Sequence, residues 1–106
     1  MTMPNKNYIY VRATKSYRNG EDTVVVPVSK RIYAGYSEEE MIKEAVENWA
    51  ENDSAGQVYG YTVDYELETD VPIIAKKITS MIENKKAYLK SLKAEIKELK
   101  EDLGTL

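Results

Sequence analysis

Apolar and polar positions change period three times along the chain, and each change marks a new element. Over residues 8–14, Ile9, Val11 and Ala13 alternate with Tyr8, Tyr10, Arg12 and Thr14. This is the period-2 pattern of a half-buried strand. Val24 to Val28 reads as its partner, and Asn19-Gly20 between them is the favoured pair for a two-residue type I′ hairpin turn. A turn there sets Val11 opposite Val28, Ala13 opposite Val26, Ile9 opposite Lys30, Tyr8 opposite Arg31 and Arg12 opposite Pro27. Pro27 has no amide proton for a ladder, so the second strand belongs at an edge and the third beside the first.

Period 3.6 takes over after Tyr36. Ser37 is placed as N-cap, Glu40 closes a capping box, Tyr36 is positioned to staple onto Met41, and three glutamates suit the first-turn dipole. Met41, Ile42, Ala45, Val46, Trp49 and Ala50 form one stripe, and Asn52-Asp53-Ser54-Ala55-Gly56 ends it. Alternation returns from Val58 to Glu68, with Tyr59, Tyr61, Val63, Tyr65 and Leu67 on one face and Thr62, Asp64, Glu66 and Glu68 on the other.

Asp70-Val71-Pro72 opens the last element and Gly104 closes it. About 32 residues at 1.5 Å each give a helix of roughly 48 Å, against a radius of gyration near 13 Å for a domain of this size. Ala75, Ile78, Ile82, Lys85, Leu89, Leu92, Ile96, Leu99 and Leu103 recur in alternate three- and four-residue steps, a heptad seam interrupted only at Lys85. Ile96 at a with Leu92 and Leu99 at d suits a parallel dimer, with Glu95 at g facing Lys100 at e of the partner helix. The first half of this stripe equally suits packing on the chain's own sheet, whereas Leu89 to Leu103 lies beyond the reach of three strands.

The predicted fold is therefore α+β: a ββαβ three-stranded antiparallel sheet in order 2-1-3 with one packed helix, then a long coiled-coil-forming C-terminal helix. Residues 1–70 make the small domain, with 1–6 flexible, and 71–106 the oligomerisation helix. The chain of 106 residues suits one small domain, which gains from a partner chain because it buries only about two-thirds of its unfolded surface.

Composition narrows the chemistry. The chain has no cysteine and no histidine, which removes disulfides, thiol nucleophiles, zinc knuckles and the commonest general base. No Gly-rich phosphate loop or HExxH spacing occurs, and Asp64 with Glu66 lacks the further oxygen ligands of a calcium site. The expectation is a protein that is not an enzyme, with no cofactor and no metal. No stretch approaches the ~20 apolar residues of a membrane span, and Met1 to Asn7 has no signal-peptide apolar core, so a cytoplasmic location is expected.

Charge is unevenly placed. Six basic and two acidic residues give +4 over 1–35, one and eleven give −10 over 36–70, and eight and five give +3 over 71–106. Glu40, Glu44, Glu47 and Glu51 recur at helical spacing, and Asp64, Glu66 and Glu68 stand on one strand face about 6.7 Å apart. One reading is a polyanion-like surface for the basic groove of a protein partner, including nucleic-acid-handling proteins. The other is a solvated face partly neutralised by Arg12, Arg31 and the lysines.

Nine tyrosines, one tryptophan and no phenylalanine raise a second surface, a ligand face of Tyr8, Tyr10, Arg12 and Arg31 offering stacking and a phosphate-binding cation. Tyr59, Tyr61 and Tyr65 read instead as core face or subunit interface. Direct nucleic-acid binding is disfavoured, because no basic stripe carries interleaved aromatics.

In general character the short, acidic, Tyr-rich chain without Cys or His resembles small orphan proteins of phages and mobile elements, among them anti-CRISPR and other anti-defence inhibitors. That resemblance is compositional and implies an inhibitor that acts by binding. The expected function is a non-enzymatic oligomeric protein, most simply a homodimer through Ile82, Leu89, Leu92, Ile96, Leu99 and Leu103, that inhibits or sequesters a partner through its acidic face. The alternatives are a coiled-coil assembly module and a small-ligand (nucleotide) sequestering protein.

Overall fold

The computed structural model describes residues 7–53 and 60–106. The expected flexibility of residues 1–6 and the predicted strand positions Val58 and Tyr59 lie outside the described residues. The elements run β1 (Tyr8–Tyr17), β2 (Gly20–Ser29), α1 (Glu38–Asn52), β3 (Tyr61–Leu67) and α2 (Val71–Gly104). The strands form an antiparallel sheet in the order β2-β1-β3, with β1 central and the Pro27 strand at an edge, as the sequence predicts. Residues 1–70 and 71–106 are two compact units.

The hairpin register differs from expectation by two residues. Tyr17 pairs with Gly20, so the turn is Arg18-Asn19, and none of Arg18, Asn19 and Gly20 has positive φ. The I′ turn is therefore not used. The observed ladder sets Ile9 against Val28, Val11 against Val26 and Ala13 against Val24, and it brings Asp22 opposite Lys15. The predicted register would have spent Ile9 on Lys30 and Lys15 on Val24. Two further contacts favour the observed one: the Thr14 and Thr23 hydroxyls meet at 3.0 Å, and a Cβ on Gly20 would sit 3.6 Å from the Tyr17 ring, so that ring lies over the glycine. A slip of two preserves the faces, so the core residues are those the alternation named.

α1 lies on the face carrying Val11, Ala13, Val26 and Val28 and contributes Met41, Ile42, Ala45 and Val46 to one core, with Ile9, Val24, Tyr33, Trp49 and Val63 at its margin. Ser37 caps it by accepting from the Glu40 N–H at 3.2 Å, and its hydroxyl donates to Glu40 Oε1 at 2.9 Å. The ring contact of Tyr36 is with Tyr33. Gly35, at φ 92°, bends the chain just ahead of Tyr36, and that ring packs edge-on against Tyr33 at 5.7 Å while Met41 is in the core.

α2 spans 34 residues, about 51 Å at 1.5 Å per residue. Pro72 occupies its first turn, where a missing N–H breaks no helical bond. Among the described residues no helix is long and apolar enough to cross a membrane.

Candidate functional site

The acidic residues do not make one surface. Glu40, Glu44, Glu47 and Glu51 are all exposed on α1, with Glu40 engaged at the N-cap. α1 covers the sheet face of Val11 and Ala13, whereas Asp64 pairs with Thr14 and Glu66 with Arg12 on the opposite face. The two rows thus stand on opposite sides of the sheet. Glu66 forms an exposed ion pair with Arg12, whose guanidinium is held above its ordinary pKa by that hydrogen bond and by the Glu66 charge.

Glu68 leaves the row altogether. It is buried, and its Oε2 accepts from the backbone N–H groups of Thr69 at 3.1 Å and Asp70 at 3.3 Å. Its role is local: it ties the backbone where β3 ends, through N–H groups that the strand ladder no longer uses.

The Tyr/Arg constellation is likewise divided. Tyr8 and Tyr10 stack at 6.2 Å, but Tyr10 is buried, and burial, then the Tyr8 charge, raises the pKa of its hydroxyl. Arg12 is engaged by Glu66, and Arg31 lies past the end of β2, so the cross-strand neighbour of Tyr8 is Ser29.

The cluster that sequence reasoning missed is centred on Lys15. This lysine continues the core face of β1 and is fully buried. Its Nζ donates to the carbonyls of Ala50 and Asp53, each at 2.8 Å, lies 3.8 Å from Asp53 Oδ2, and sits 4.4 Å over the Tyr61 ring. It therefore caps the C-terminal end of α1, where helix carbonyls lack partners and the dipole favours a cation. The available signal was Lys15 on the Ile9-Val11-Ala13 parity, one position beyond the apolar run.

Asp22 stands across the ladder from Lys15. Partial burial first, then the hydrogen bond and charge of Asp53, raise its pKa above the ordinary carboxylate range, against smaller lowering by Tyr17 and Lys15. The folded protein thus holds the Asp22 proton more tightly than the unfolded chain does. The resulting stabilisation is present at pH below the ordinary value and is lost as pH rises through the folded-state pKa. Asp22→Asn is accordingly expected to raise the thermal midpoint at neutral pH, with the gain shrinking to nothing in acid. A lower midpoint for the variant at neutral pH would contradict this.

On α2 the seam residues Ile82, Leu89, Ile96, Leu99 and Leu103 are 48–70% exposed, and Leu92 is half-buried. Among the described residues no group of three or more acidic side chains converges in a metal-holding arrangement. Compared with protein-family models, curated proteins and solved structures, the chain matches none.

Proposed function

We propose that the protein is a non-enzymatic, homo-oligomeric binding module, in which α2 joins copies side by side and the acidic row of α1 captures a basic protein partner. The observation that carries this is the run Leu89, Leu92, Ile96, Leu99 and Leu103 on a helix of about 51 Å. Four of these side chains are at least half exposed in a single chain. A two-per-heptad apolar stripe is the geometry of a helix that pairs with another helix. The compositional likeness to phage-type anti-defence inhibitors favours inhibition or sequestration as the outcome of capture.

The α1 row supports the second half of the reading. Glu40 with Glu44, and Glu47 with Glu51, are like charges at i,i+4 spacing, each pair costing a helix a few tenths of a kcal/mol. The helix carries one basic residue, Lys43. Reversing Glu44, Glu47 and Glu51 to Lys is expected to abolish partner capture in a pull-down, while each exposed change alters stability by no more than about 0.5 kcal/mol. Salt should weaken capture by the native chain in parallel, since exposed attraction is screened beyond about 8–10 Å. Capture that survives both salt and reversal removes the acidic row from the function. A chain that oligomerises and captures nothing is the assembly module alone.

A further inference from the structure

The two edges of the sheet are built differently. β2 carries Pro27, whereas β3 from Tyr61 to Leu67 contains no proline and no lysine, and its charged residues, Asp64 and Glu66, both stand on the face away from α1. An edge without such guards is a ready template for another strand. The Glu68 N–H donates to the Tyr10 carbonyl at 2.9 Å. Antiparallel alternation then directs the backbone groups of Thr62, Asp64 and Glu66 toward β1, and those of Tyr61, Val63, Tyr65 and Leu67 outward.

These outward-bonding residues also carry the apolar side chains of the α1 face. There the cover is incomplete: Ala13 and Val11 are fully buried, but their β3 neighbours Tyr65 and Leu67 are 44% and 53% exposed. On the other face of β3, Asp64 stands opposite Thr14 with no basic cross-strand partner, next to Glu66. Among the described residues the edge thus presents outward-directed backbone groups, an apolar shelf on one side and carboxylates on the other.

We propose that β3 accepts an extended segment of a partner protein as a fourth strand. In that segment large apolar residues, lying beside Tyr65 and Leu67, alternate with basic residues, one of them beside Asp64, the carboxylate that has no basic cross-strand partner. Main-chain hydrogen bonds would supply affinity, and the alternation specificity. A second copy of β3 fits poorly, because its own carboxylates would meet Asp64 and Glu66. The proposal rests on the partner-capture reading and assigns it a second, separately testable surface.

The test uses the full-length, isotope-labelled protein and a capped synthetic peptide alternating valine and lysine, with a control of equal composition whose lysines form one block. In the free protein the amides of Thr62, Asp64 and Glu66 should be protected from hydrogen exchange, and those of Tyr61, Val63, Tyr65 and Leu67 should exchange fast. The alternating peptide should slow these four at least about tenfold, and the block control should not. Val63→Pro removes an outward N–H while sparing the β1 ladder, and should abolish the protection. Should that variant lose its folded spectrum, Asp64→Lys decides, with an expected loss in peptide affinity of about tenfold.

Four results overturn the proposal: no binding, binding with the four amides unchanged, equal protection by the block control, or amides already protected in the free chain. Peptide-induced shifts at Glu44, Glu47 and Glu51 with β3 unchanged would reject strand addition and leave the α1 row standing. Conversely, partner capture that survives reversal of the α1 row does not alter the β3 outcome.

Discussion

Lys15→Ala is expected to destabilise the protein by about 3–5 kcal/mol, the range for removing one partner of a buried charged network. The whole stability of a small domain is about 5–15 kcal/mol, so the variant should be close to unfolding. The cost has separable parts. The Ala50 and Asp53 carbonyls lose the donor that satisfies them, at about 1–3 kcal/mol for each group left unsatisfied, and Asp53 Oδ2, which accepts no hydrogen bond from the described residues, loses the positive charge 3.8 Å away. The lysine stem also leaves a cavity beside Tyr61. Lys15→Met keeps most of the stem and no donor, so it should recover less than half of the loss. Urea denaturation of both variants measures the split, and a methionine variant within about 0.5 kcal/mol of the native chain would show that the donors contribute little. Because Lys15 holds the end of α1 to the sheet, the same variants should loosen the helix that displays the acidic row.

How far the fold was legible follows from which signals are local. Strand parity, helix period and the position of Pro27 are, and they give the strand order, the packed face of α1 and the stripe of α2. Register depends on pairings between distant residues. Asn19-Gly20 is a strong turn signal, yet it yields to a ladder that pairs Ile9, Val11 and Ala13 with valines and Thr14 with Thr23. The division of the acidic residues was in principle readable: Asp64 and Glu66 have the parity opposite to Tyr65 and Leu67, whose face α1 covers, so a helix packed there turns its exposed row away from them. Parity placed Lys15 on the core face, but its partners and the burial of Glu68 were not readable, since each depends on backbone groups that only the folded chain gathers: the last carbonyls of α1 for one and the N–H groups after β3 for the other.

Leu92→Asp combined with Leu99→Asp is expected to convert a self-associating chain into a monomer. Both sites are d positions of the seam, where each Leu gains about 1.5–3 kcal/mol on burial and each Asp would face its own copy. Two sites in each of two chains forfeit about 6–12 kcal/mol. That matches the whole binding free energy of a micromolar-to-nanomolar dimer, about 8–12 kcal/mol. Helix content should fall with association, because an isolated helix without tertiary cover is marginal in water, and the 222 nm signal of the native chain should depend on concentration in step with its mass. Lys85 offers the opposite test. It is the one polar residue at a d position of the seam, and a polar side chain in an otherwise apolar seam costs stability, so Lys85→Leu should tighten the assembly. Sedimentation equilibrium reads all three chains. A native chain that sediments as a monomer, with Lys85→Leu no heavier, would leave the seam from Leu89 to Leu103 without a partner helix and end the oligomeric reading.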